Sequence, residues 1–400
     1  MNLVAIDIDS LPVGQPLPFA LRSAKGALLA PRGYTIASRE ELDGLRGRGI
    51  DICVDTDEAS ASHRHFMNQL QQMLRKDTPL GQIAALKLSL SGRSARAATS
   101  GGPPDWRGLQ QRTTQLLYTP TQPEFLDHLA RLAAELDQLC REGPDATLLA
   151  LIFLSGQQPH QYSATHAMLV ACAGMLTARQ TLQWPEPQVL QLGHAALTMN
   201  VAMAELQDTL AQQTEALTPG QLQAIHDHAR QSEALLRQCG VRDAVWLRAV
   251  SQHHQLASGA LDAQDAAGQM ARLIQRADVF GARIAPRATR RAMPVTAAVQ
   301  ASYYNDRREV DEAGAALLRT LGVYPPGAFV RLASDEVAVV LRRGASATTP
   351  RVAVVIGRSG MPTGEPIPRD TAQAAYKITA SLAPHEVRLQ VSLERLLKLP

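Results

Sequence analysis

The chain has few of the features that declare a function from composition. Its four cysteines, Cys53, Cys140, Cys172 and Cys239, are far apart and form no Cys-x-x-Cys pair. That excludes a disulfide framework and a thiolate zinc site, and reduced thiols fit a cytosolic protein. Charge of one sign is also missing: 40 Lys and Arg against 37 Asp and Glu leave a formal net charge of +3, too little to argue for a nucleic-acid polymer or an anionic membrane as partner. No apolar run is long enough to span a bilayer; Thr147 to Ser155 is among the most apolar stretches and is too short. The opening MNLVAIDIDSLPVG carries acidic residues where a signal peptide needs basic ones. A cytoplasmic location is therefore expected. No repeat of fixed period interrupts the chain.

What is present is enough apolar material, 45% of 400 residues, for two or three domains. Over residues 1–60, short apolar runs such as VAIDI, LPFALRS, GALLAPRGYTI and GIDICV are broken by Pro and Gly, which predicts a small β-rich domain. An amphipathic segment around His65 to Leu74 and a Ser/Ala/Gly/Pro-rich linker, Leu90 to Asp105, occupy 61–105. From Trp106 to Thr320 the apolar spacing is three and four, as in Phe125, Leu126, Leu129, Leu132, Leu136 and Leu139, so 106–320 is predicted to be a bundle of packed helices. Beyond, 321–400 changes to short β-branched runs, AFVRLA, VAVVLRR and RVAVVIG, which predict a small C-terminal β subdomain. There Ser334-Asp335-Glu336 reads as a tight turn between two strands of alternating apolar and polar residues. The fold class is thus mainly α, with a β-rich domain before the bundle and a β subdomain after it.

Eleven histidines are present, and His166, His194, His226, His228, His253 and His254 fall in the helical region with Asp278 downstream. Imidazole nitrogen and carboxylate oxygen suit Fe, Mn or Zn, and helices can bring distant positions to one bundle centre. The plain alternative is that these are surface or hydrogen-bonded core residues with no metal. The pair His253-His254 is informative because neighbouring helical residues point about 100° apart and share a cleft only when both lie near it. Glu309 and Asp311 beside Arg307 and Arg308 read as a surface charge cluster.

In order along the chain, YSATHAMLVACAG, GHAALTMNVAM, LTPGQLQAIHDHARQSEALL, VSQHHQLASG and ARLIQRADVFGARIAPRATRRAM resemble the five blocks of HD-GYP domains. The resemblance covers about Ala150 to Leu321. It places His166, His228, His253, His254 and Asp278 on metal-ligand positions and leaves His194 and His226 peripheral. It also implies a basic cluster, Arg287, Arg290 and Arg291, of the kind that holds the family's cyclic dinucleotide. An ordinary solvated helix end is the alternative for these arginines.

The departures from the pattern are specific. Met199 and Asn200 stand at the His-Asp positions, Ala202 and Met203 at the Gly-Lys positions, and QLASGALDAQD follows His254 without the Gly-Tyr-Pro run. In the family the aspartate of the pair bridges two metals and helps hold the hydroxide that attacks the phosphodiester. A neutral amide cannot supply that charge, and a thioether suits Cu(I) better than Fe, Mn or Zn. By resemblance, His166 and Asp278 keep two ligands of four at one metal, whereas His228, His253 and His254 are the histidines of the other. Three imidazoles suffice for a single Zn or Fe with open positions. The expectation is a degenerate HD-GYP-like signalling protein that binds a cyclic dinucleotide or a signalling protein partner with little or no hydrolysis. A reduced, mononuclear phosphodiesterase and a metal-free interaction module are the two alternatives.

Overall fold

The computed structural model describes residues 104–400, except 158–160, 256–258, 306, 388, 390 and 400, together with four strands nearer the N-terminus. The chain divides into two compact units, Met1–Ser100 and Gly101–Pro400. In the first, β1 (Leu3–Ala5), β2 (Leu21–Ser23), β3 (Leu28–Ala30) and β4 (Ile52–Asp55) form an antiparallel sheet in the order β1-β4-β2-β3. The β-rich reading of this region therefore holds for its strands. The expected amphipathic segment at 65–74 and all but the last two residues of the expected linker lie outside the described residues.

The second unit opens with α1 (Trp106–Tyr118), where Asp105 accepts the Gly108 amide as an N-cap. It continues through α2 (Phe125–Glu142), α3 (Pro144–Gln157), α4 (Tyr162–Gln180) and α5 (Glu186–Thr198). On α2 the three-and-four spacing works as predicted: Phe125, Leu129, Leu132 and Leu136 are buried and the opposite face is solvated. By contrast α4 is buried from Tyr162 to Ala178 on every side, which makes it the central helix against which α3, α5 and others pack. A 3-10 turn at Val201–Met203 leads to α6 (Ala204–Gln212), then α7 (Pro219–Gln238), started by a Thr218/Gln221 capping box, and α8 (Ala244–Gln252), capped by Asp243. The last three helices of the bundle are α9 (Ala266–Ile284), α10 (Val295–Tyr303) and α11 (Glu312–Leu321). The helices of this unit run from Trp106 to Leu321.

Five antiparallel strands follow, β5 (Phe329–Leu332), β6 (Val337–Arg342), β7 (Arg351–Ile356), β8 (Pro362–Asp370) and β9 (Ile378–Leu382), in the order β8-β7-β6-β5-β9. Asp335 sits in the predicted turn at φ 64°, a left-handed conformation that Asp tolerates. The expected apolar-polar alternation fails in β6, where Val337 to Leu341 are all buried. The reason is that both faces of the sheet are covered. Ala338 and Val340 join the bundle core, while Val337, Val339 and Leu341 pack with Leu149 and Phe153 of α3 and with Leu396 of the short helix α12 (Leu393–Leu397).

A second expectation is corrected at α11. Asp311 is not part of a surface charge cluster: it is 2% exposed, pairs with buried Arg272 of α9 at 2.9 Å and caps α11 through the Gly314 amide. The local run Arg307, Arg308, Glu309 is exposed, so the misreading came from neighbours in sequence. The partner of Asp311 lies 39 residues upstream.

Candidate metal centre

His228 lies on α7, and His253 and His254 directly follow α8, where the chain leaves the helix. One nitrogen from each of the three comes within 4.8 Å of the others. His228 and His253 are buried, and His254 is exposed on the open side of the group. Each buried ring is oriented by its own helix. His228 Nδ1 is 2.6 Å from the Ile225 carbonyl and His253 Nδ1 is 2.6 Å from the Val250 carbonyl, both three residues earlier. A carbonyl only accepts, so each Nδ1 carries the hydrogen and each Nε2 is left as a lone pair.

Those two Nε2 atoms face each other at 3.3 Å. Burial, reinforced by neighbouring His254, lowers the affinity of His253 for a second proton, to a pKa of about 3. Burial also lowers that of His228, against the opposing influence of the Ile225 carbonyl. Both rings are therefore neutral near pH 7, and two lone pairs are pressed together with no hydrogen between them. A cation removes that conflict. Two imidazole nitrogens at about 2.0–2.1 Å from one tetrahedral ion stand roughly 3.3 Å apart, which is the spacing found. The donor set fits one divalent cation of the imidazole-seeking kind, Fe, Mn or Zn.

The second group is a pair. His166 of α4 and Asp278 of α9 meet through Nε2 and Oδ1 at 2.7 Å, with His166 only 3% exposed. Burial by itself raises the pKa of Asp278, but the hydrogen bond and charge of His166, with His254 and His253 beyond it, hold the carboxyl well below the usual carboxylate range. Asp278 thus feels rings of both groups. Met199 is 1% exposed and packed in the core, while Asn200 Oδ1 and His166 Nδ1 are buried with no hydrogen-bond partner among the described residues. Gly281 explains how α9 comes so near: a Cβ there would lie 3.0 Å from His166 Nδ1. The peripheral histidines do stand apart. His194 stacks on Trp246 at 5.2 Å, and the side chain of His226 is 82% exposed.

The arginines are not in the imidazole cluster. Arg287 and Arg290 close a tight turn by exchanging backbone hydrogen bonds of 2.8 and 3.0 Å, and Arg291 is exposed beside them. They connect to the centre through a residue that sequence reasoning missed. Tyr162 accepts a hydrogen bond from Arg287 at 2.9 Å and lies flat against the His166 ring, centroids 5.4 Å apart and planes 9° apart. The available signal was spacing: an aromatic four residues before a candidate ligand on one helix shares its face.

One interior of the helical bundle thus holds a three-imidazole cluster and a His-Asp pair, and a small antiparallel sheet follows the bundle. No family model matches the chain. It is 27% identical over 241 residues, 59% of its length, to a cyclic di-GMP phosphodiesterase of Pseudomonas aeruginosa, and the match spans 57% of that relative. An HD-GYP-type protein of Bdellovibrio bacteriovorus is similar to it in structure with a TM-score of 0.45 and 15% identity, over 80% of this chain and 99% of the other. Among the described residues no helix is long and apolar enough to cross a membrane.

Proposed function

We propose that this chain is a degenerate HD-GYP-type signalling protein that holds one divalent cation at His228, His253 and His254 and takes a cyclic dinucleotide with little or no hydrolysis. The observation that carries the reading is the contrast within one interior. One ligand set has paired Nε2 lone pairs fixed at 3.3 Å by backbone carbonyls. The other has closed on itself as His166–Asp278, and the two positions that the resemblance assigns to its remaining ligands carry a neutral Asn200 and a buried Met199. A bound cation supplies Lewis acidity to a phosphate oxygen. His254, exposed at the edge, leaves the ion open to a ligand, and Arg287, fixed over the Tyr162 ring at 5.2 Å, offers a guanidinium to a phosphate. Without a carboxylate at position 200 no second cation is clamped against the first, and hydrolysis lacks the two-ion arrangement that stabilises attacking and leaving oxygens together. A signalling protein partner is the alternative ligand of the same surface.

A second reading, an active phosphodiesterase with one metal, is favoured by the completeness of the three-imidazole set. Purification without chelator, metal analysis by mass spectrometry, and titration and turnover of cyclic di-GMP with added Mn or Fe separate the two. About one metal per chain with binding and no turnover is the expected result. Turnover establishes the second reading, and absence of metal sinks both.

A further inference from the structure

Away from the imidazole cluster, a cleft of about 380 Å³ opens between α3, the turn after α9 and the C-terminal sheet. Its walls are apolar, chiefly Ile152, Phe153, Ile284, Val295, Phe329 and Val387. Among the described residues its charged lining is all of one sign: Arg287, Arg290 and Arg291 line it, His385 adds a protonatable ring, and no carboxylate takes part. Glu386, next along the chain, is turned to the Ala383 amide.

None of these arginines makes an ion pair among the described residues. Arg287 spends one nitrogen on Tyr162 and keeps a buried Nε without a partner. Arg290 donates to the Ala282 carbonyl. Burial, with Arg287 and Arg283 close by, lowers the hold of Arg290 on its proton, so the cluster is crowded with like charge and lacks a counterion. Clustered guanidinium groups at the end of an apolar cleft match an anionic head on an apolar body. The volume lies at the low end of small-molecule sites, which run from about 300 to 1,000 Å³.

We infer that this cleft is a second ligand site, separate from the imidazole centre, for a small amphiphilic anion: a carboxylate or phosphate head at Arg290, Arg291 and His385 with an acyl or aryl body between α3 and the sheet. The inference goes beyond the proposed function, and its test does not depend on metal content.

The full chain is titrated calorimetrically with octanoate, octyl phosphate, octanol and inorganic phosphate. Octanoate and octyl phosphate are expected to bind with one site per chain, the tighter of them identifying the head, while octanol and phosphate alone bind at least about tenfold more weakly, the value of one charge-assisted hydrogen bond. Arg290→Gln with Arg291→Gln should weaken octanoate by a similar factor, and His385→Gln, an exposed position, should weaken it in a protein of unchanged fold and metal content. Octanol binding as well as octanoate, or unchanged affinity in both variants, overturns the proposal. Competition between octanoate and cyclic di-GMP also overturns it as a separate site, because the arginines then serve the dinucleotide.

Discussion

Replacing His253 by Leu in protein stripped of metal tests whether this ring is held neutral. His253 is fully buried, and its pKa is about 3 in the folded chain against about 6.5 unfolded. Because the folded value is the lower one, the unfolded chain takes up the proton first. The native state therefore loses relative stability as pH falls below about 6.5, and continues to lose it down to about 3. At pH 5 the difference amounts to about 2 kcal/mol, which is the 1.5 pH units below 6.5 at about 1.4 kcal/mol per unit. Leu cannot take that proton. Its own cost, an unpaired Val250 carbonyl and a changed shape, is independent of pH. Urea unfolding with EDTA at pH 7 and pH 5 should thus show the parent losing about 2 kcal/mol more than His253→Leu between the two conditions. Equal losses would refute the buried, neutral, lone-pair-facing arrangement on which the metal reading rests.

Three further outcomes are expected. Asp311→Ala strands Arg272, 5% exposed, as a buried charge and removes the cap of α11, so unfolding should become easier by about 3–5 kcal/mol in thermal or denaturant titration. Gly281→Ala drives a methyl to 3.0 Å from His166 Nδ1 and should cost about 1–3 kcal/mol, with a shifted His166 ring resonance in NMR as the check that the His166–Asp278 contact has been disturbed. Met199→His with Asn200→Asp should raise metal content by mass spectrometry above that of the parent chain; unchanged content would mean that the ligands of that set no longer converge.

Much of this architecture could be read from residue spacing, because burial imposes its period on the sequence. On α2 the positions of Phe125, Leu129, Leu132 and Leu136 declare both the helix and its buried face. Central α4 declares only that it is apolar, since a helix buried on all sides has no stripe. The metal candidates were legible as a set of imidazoles, and the structure brings His228, His253 and His254 together and pairs His166 with Asp278. The carbonyls that fix the rings were not legible, because every residue carries one. Neither was the partner of Asp311, nor the cleft beside Arg290, whose walls come from segments as distant as Ile152 and Leu389. Contacts made across long separations leave no local period, and strand β6 lost its alternation for a related reason: cover from two sides erases it.

The His166–Asp278 contact gives the interior an asymmetry in how it can be loaded. Asp278 is an ionised acceptor, so the hydrogen in the 2.7 Å bond resides on His166 Nε2. An ion seated beside Asp278 through that nitrogen would require the hydrogen to move first, to Nδ1, which is buried without a hydrogen-bond partner among the described residues. The three imidazoles require no such exchange, since both buried Nε2 atoms already stand bare. A chain built this way would present one position ready for a cation and keep the other closed until the His166 ring changes tautomer.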